Sequence, residues 1–250
     1  MPLPGEWGAA IVLSGAPNYL WFCLWRKLSY RIKLLLFFFS AIAVFIFMDI
    51  GYSALNTLAR LDVVEAQRDQ WQRPADVIDA LDLRPGSEVV DLGCGSGYFT
   101  LRLSPRVGPS GRVIAEDIRL LPLTFLWVRT ALKRDSNVQI VHGTISDPEL
   151  PTGTLDSALI VNTFHELSDP QSILADVRNS LVPGGRLVVV DREPKPENIG
   201  VTETGDHEIS PATVESDLSS AGFQVIQLQE PFIVADPDDE TWWMIVAVKR

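Results

Sequence analysis

The stretch EVVDLGCGSGYFT, Glu88 to Thr100, limits the possible folds of this chain more than any other segment. Glu88 to Leu92 has the short apolar character of a buried strand, and the breaking pair Pro85-Gly86 bounds it upstream. Gly93, Gly95 and Gly97 then allow dihedrals and close approaches that a Cβ forbids, and Tyr98 to Leu103 reads as the opening of a helix. A strand that enters a helix through a glycine turn marks an α/β domain, with the turn at the mouth of a ligand site.

The spacing narrows the ligand. A dinucleotide fingerprint, G-x-G-x-x-G, needs its third glycine where Tyr98 stands; this turn is G-x-G-x-G, preceded by an acid, Asp91. An acid aimed into the site suits a cationic ligand better than a pyrophosphate, and the ammonium and sulfonium of S-adenosylmethionine fit. Here the sequence resembles the class I S-adenosylmethionine-dependent methyltransferases, and the resemblance continues over residues 62–250. A helical pattern from Asp62 to Leu83 precedes the first strand. GRVIAED is the second strand; the resemblance implies an acid there for the ribose hydroxyls, and the register favours Asp117 over Glu116. VQIVHGT is the third, with Thr144 where the family often has an adenine-contacting Asp, and Asp147 three residues on. LDSALIVN is the fourth. Asp169 then caps a helix with Pro170 at its first position, and Pro183-Gly184-Gly185 turns the chain into a fifth strand. AGFQVIQLQE and WWMIVAVKR form the final antiparallel pair. The implied fold is a Rossmann-like, doubly wound seven-stranded sheet, mostly parallel with an antiparallel final strand. The implied cofactor is S-adenosylmethionine, held by Asp91, Gly93, Gly95, Gly97, Asp117, Thr144 and Asn162.

Methyl transfer from a sulfonium is an in-line displacement, so the site must align two reactants and accept a proton where the nucleophile carries one. Asn162, Thr163, His165 and Glu166 follow the fourth strand, where the family faces its donor. His165 is the candidate general base, its ordinary pKa lying near neutrality, or it only orients substrate or caps the turn. Glu166 orients His165 or faces solvent. The family's Asn-Pro-Pro-aromatic motif for planar amino groups is replaced by NTFH, which disfavours base or amide N-methylation. His207 and Glu208 stand where family members build the acceptor pocket, and His142 reads as structural. The three histidines lack the spacing of a metal site, and two cysteines supply neither a disulfide framework nor a zinc cluster. Cys94 reads as a small residue in a tight turn. Trp71 is either a lid over the donor or packing. RLLPLTFLWVRTALKR, after Asp117, is apolar on too broad a face for a surface helix; it packs on the sheet, lines an acceptor tunnel or dips into lipid.

Ahead of this domain lies an unlike segment. Leu34 to Met48 is an uncharged run, and passing over Asp49 to Leu55 it reaches the ~20 residues that span a bilayer. Residues 1–56 are therefore expected to anchor the chain, with a span near 34–55, and residues 57–250 to form the methyltransferase domain. Trp7 to Trp25, interrupted by Gly15, Pro17 and Asn18, is a weaker second segment suited to the interface. Arg26, Lys27, Arg31 and Lys33 precede the span and would stay in the cytoplasm, which puts the domain after the span on the far side of the membrane. S-adenosylmethionine is made in the cytosol, so a cytosolic face is expected, reconciled if the segment enters the interface without crossing. Residues 1–60 carry a net +3, which leaves −14 on residues 61–250 and disfavours nucleic acid as a partner. The expected acceptor is small or lipid-soluble, quinone-like, methylated on carbon or oxygen. The rival is an anchored binding or assembly protein that keeps the fold without turnover.

Overall fold

The computed structural model describes residues 28–194, 208–234 and 240–250. The segment Trp7–Trp25, His207 and most of the acidic linker DPDDE lie outside them. The chain divides into two compact units, Met1–Arg60 and Leu61–Arg250. In the first, the described residues are dominated by helix α1, Tyr30–Trp71, which runs on into the second unit. Its apolar stretch exposes Phe37, Phe38, Phe39, Phe45 and Phe47, and it is the one helix among the described residues long and apolar enough to cross a membrane.

The second unit begins with the last turns of α1 and with α2, Pro74–Ala80. The helical pattern from Asp62 to Leu83 is thus broken, because Arg73 adopts a left-handed conformation (φ 53°) and Pro74 starts a new helix. Next come β1 (Glu88–Leu92), α3 (Thr100–Val107), β2 (Arg112–Asp117), α4 (Leu120–Lys133), β3 (Val138–His142) and β4 (Leu155–Val161). A 3-10 turn at Phe164–Glu166 precedes α5 (Pro170–Ser180), β5 (Leu181–Arg192), α6 (Pro211–Ser220), β6 (Phe223–Ile233) and β7 (Trp242–Lys249). The strands form one sheet in the order β3-β2-β1-β4-β5-β7-β6. All pairs are parallel except those of β7, which runs against both β5 and β6. The expected seven-stranded doubly wound sheet with a reversed final strand is the observed one.

Caps fix the helix starts. The Asp169 carboxylate accepts from Ser172 N at 3.1 Å, and Ser210 Oγ accepts from Thr213 N at 3.2 Å, each followed by proline. Pro183-Gly184-Gly185 does not precede the fifth strand but interrupts it: the pairing with β4 jumps from Leu155↔Leu181 to Ser157↔Arg186, and Gly184 takes φ 78° in the bulge. The two sheet faces bury separate cores. Along β7, Trp242, Met244 and Val246 face one with Val77, Val89 and Leu103, while Trp243, Ile245 and Ala247 face the other with Leu174, Val177 and Val214. The strand order reverses between β1 and β4, and a crevice opens there at the carboxyl ends of the strands.

Candidate functional site

That crevice is a cavity of about 420 Å³, within the range of small-molecule sites. Its floor is the glycine turn, which extends to Phe99 rather than ending at Gly97, so α3 begins two residues later than the sequence suggests. Gly95 takes φ 55°, and a Cβ there would project into open space; its N–H donates to Asp117 Oδ2 at 2.9 Å. Gly97 serves differently. At φ 92° it leaves room for the Leu126 side chain, and it does not line the cavity.

Three acids converge on the turn. Asp91, at the end of β1, is 3% exposed and accepts from Thr100 Oγ1 at 2.6 Å; burial pushes its pKa up to about 6. Glu116 is also buried, beneath Gly143 and close to the Gly93 backbone, and burial pushes it up to about 7. Asp117 Oδ1 accepts from Arg119 N at 2.8 Å, and the Arg119 guanidinium lies 3.2 Å from the same oxygen. Burial drives the Cys94 thiol pKa upward, and the neighbouring carboxylates add to it, so it is an inert wall residue. Thr144 lines the cavity, but its hydroxyl is tied to the backbone of Asp147, which does not; Ile145 and Pro148 supply apolar wall instead.

After β4 the chain turns sharply. Asn162 adopts φ 53°, its N–H donates to Val190 O at 2.8 Å, and its side-chain oxygen is buried without a hydrogen-bond partner among the described residues. Other atoms of Asn162 line the cavity, and the positive φ marks a strained turn at its wall. Thr163 and Glu166 line the same wall. His165 does not: its ring is 3% exposed, with Nδ1 2.8 Å from Asp191 Oδ1 and Nε2 3.8 Å from Glu166 Oε1. Asp191 Oδ2 also accepts from His165 N at 3.2 Å.

Sequence reasoning passed over Arg68, Arg119 and Asp191, and ranked Glu116 below Asp117. Arg68, three residues before the Trp71 that drew attention, lies in the cavity wall with its guanidinium 3.8 Å over the Tyr98 ring, and burial lowers its pKa. Trp71 is packing: its ring stacks 5.7 Å from Trp242. His142 Nε2 meets Ile118 O at 3.0 Å, a structural contact. Among the described residues no cluster of His, Cys, Asp or Glu could hold a metal.

A family model described as a methyltransferase domain matches residues 90–189. The chain carries a class I S-adenosylmethionine-dependent methyltransferase domain. Over 195 residues it is 27% identical to a ubiquinone/menaquinone biosynthesis C-methyltransferase of Hahella chejuensis, covering 76% of this chain and 74% of that one. A demethylmenaquinone methyltransferase of Shouchella clausii is 26% identical over 140 residues, 56% of this chain and 57% of its own. The chain spans about half the length of several curated relatives that it matches. A methyltransferase structure from Aquifex aeolicus superposes with a TM-score of 0.63 at 22% identity over 77% of this chain and 98% of that one, a likeness of fold. The cofactor of the domain is S-adenosylmethionine, and the cavity fits it. The buried acids could meet a cationic group, Gly95 leaves a cradle that a Cβ would fill, Arg68 could meet a carboxylate, and apolar Ile118, Ile145 and Pro148 would suit a base.

Proposed function

We propose that this protein methylates a small, lipid-soluble, quinone-like acceptor on carbon or oxygen, at a membrane to which the apolar stretch of α1 holds it, with the domain on the cytosolic face. When bound, S-adenosylmethionine supplies an electrophilic methyl group on its sulfonium. Asp91 and Arg68 would hold the amino-acid end, Asp117 the ribose and the glycine turn the middle of the ligand, with Asn162 in the wall beside them. The observation that carries the reading is the cavity of about 420 Å³ at the strand ends, whose lining brings Asp91, Glu116 and Asp117 together with Arg68, Asn162 and Glu166.

A carbon or hydroxyl acceptor releases a proton as it is methylated. Glu166 lines the cavity and is half-exposed, which supports its carboxylate as the acceptor of that proton; His165 Nε2 lies 3.8 Å from it. A carboxylate acceptor at Nδ1 keeps the ring proton there and leaves the Nε2 lone pair toward Glu166, 3.8 Å away, so Asp191 positions His165 and His165 could take over the proton that Glu166 collects. The curated relatives named for quinone methylation support the acceptor class, and the exposed phenylalanines of α1 support the membrane.

The test is to incubate the full chain in vesicles with methyl-labelled S-adenosylmethionine and a reduced naphthoquinone. Label appearing in the quinone, and lost in Glu166→Gln while cofactor affinity persists, is the expected result. Tight cofactor binding with no label transferred to naphthoquinol or to extracted membrane lipids would leave the non-catalytic binding role instead.

A further inference from the structure

A surface helix ordinarily turns a polar face to water. On α4 the inward positions Leu123, Leu126 and Thr130 are buried, and so is Arg129, whose guanidinium grips Glu65 through two bonds of 2.7 and 2.8 Å. The outward positions fall on two neighbouring stripes at helical spacing, Leu120-Thr124-Trp127 and Leu121-Val128-Leu132, with no charge on either. Leu120, Leu121, Trp127 and Leu132 expose between 63% and 73% of their surface, and Ile118 and Ile145, which also line the cavity, continue the apolar surface to its rim. Scattered exposed leucines need no explanation; a whole helix face of them beside a cavity mouth does.

Charge identifies what covers it. Residues 61–250 carry a net −14, yet residues 117–135 hold Arg119, Arg129, Lys133 and Arg134 against Asp117 and Asp135, a local +2. The exposed Arg119, Lys133 and Arg134 stand at the two ends of the apolar stripes, Arg119 sharing its charge with Asp117. Apolar side chains bracketed by cations have the composition of a helix lying in the interface of an anionic bilayer. A second copy of the chain fits less well, since a two-fold contact would bring like cationic ends toward each other. We propose that this face of α4 seats on an anionic lipid surface, so that the cavity rim meets the bilayer and a lipid-dissolved acceptor reaches it without crossing water. The purpose of the contact rests on the function proposed above; the contact itself does not.

The full chain is reconstituted into phosphatidylcholine and phosphatidylglycerol vesicles whose acyl chains carry bromine near the headgroups. The emission of Trp127 is isolated as the difference between the protein and its Trp127→Phe variant, a conservative change at an exposed position. More than half of that emission should be quenched, and Leu121→Glu should restore most of it. Emission untouched by bromine overturns the proposal, whether Trp127 is then open to aqueous acrylamide or shielded from it by protein. Methyl transfer to a water-soluble naphthoquinol, measured on the same samples, separates the two ideas: transfer without quenching sinks the lipid contact alone, and quenching without transfer sinks the proposed function alone.

Discussion

Lowering the pH from about 7 to about 5 should weaken S-adenosylmethionine binding about tenfold, through Asp91. Burial raises this carboxyl to about 6 in the free domain, and the nearby Asp117 adds to the rise against the hydrogen bond from Thr100. A cationic ligand favours the carboxylate, so binding must first remove the proton. The fraction ionised is about nine-tenths at pH 7 and about one-tenth at pH 5, a factor of about ten, or ~1.4 kcal/mol, in apparent affinity. Calorimetric titration of the full chain in detergent at both pH values reads it directly, and the protons released in buffers of different ionisation enthalpy give an independent count. Asp91→Asn keeps an acceptor for Thr100 but removes the titration: it should bind more weakly at pH 7 and show no dependence on Asp91. Wild-type affinity that stays flat across this range, or an Asn variant that binds as tightly as wild type at pH 7, would refute the assignment of Asp91 to the cationic end.

Other perturbations test separate parts of the domain. Glu116 is raised to about 7 by burial, above an ordinary 4.5, so the folded state holds its proton more tightly than the unfolded chain. Stability from this group is therefore full below about pH 4.5 and lost as pH rises through about 7; Glu116→Gln should remove that decline and be more stable near pH 8 by roughly 3 kcal/mol in chemical denaturation. Gly95→Val places a branched side chain at φ 55° and aims it into the cavity, so cofactor affinity should fall at least tenfold, read by calorimetry, while far-ultraviolet circular dichroism stays unchanged. Arg68→Met should weaken cofactor binding and shift KM for the donor more than kcat, because the lost cation contacts a non-reacting end. Removing one side of the buried Glu65–Arg129 pair, as Glu65→Ala, should cost about 3 kcal/mol in denaturant unfolding, the low end for a broken buried pair, since the guanidinium, 6% exposed, keeps only Ser96 O at 2.7 Å and the exposed Asp62 at 3.5 Å.

The fold was legible because its signals are local and ordered along the chain. Asp169-Pro170 announces a helix start, the run of valines before Asp191 a strand buried on both faces, and WWMIVAV a strand whose alternate residues enter two cores. The errors lie where backbone geometry overrides pattern. Pro74 signals a break that the helical reading from Asp62 to Leu83 runs across, though not that Arg73 turns left-handed, and PGG reads as a turn although neighbouring pairings continue past it as a bulge. The glycine turn runs on to Phe99 because Tyr98 and Phe99 are buried against each other, ring centroids 4.9 Å apart, before α3 can begin.

The site was less legible, and the reason is distance along the chain. A motif points to residues within a few positions of itself, as it did for Asp91, Gly95 and Asn162, all of which line the cavity. Arg68 reaches the cavity from 25 positions before Gly93, and Asp191 meets His165 from 26 positions beyond it; neither pairing has a sequence period. His165 attracted the role of base because its chemistry suits neutral pH, but composition says nothing of which way a ring faces. In the folded domain the carboxylate beside it, Glu166, has the exposure that a proton acceptor needs, and the imidazole has the fixed partner that a positioning residue needs. Replacing each in turn separates these roles. Glu166→Gln should abolish turnover at every pH, whereas His165→Gln should lower kcat and move the pH at which the rate reaches half its maximum, leaving KM for the donor nearly unchanged. If instead the histidine variant is dead at every pH and the glutamine variant at 166 retains its rate, the proton goes to the ring, and the ring must swing out of the pocket that Asp191 now holds it in.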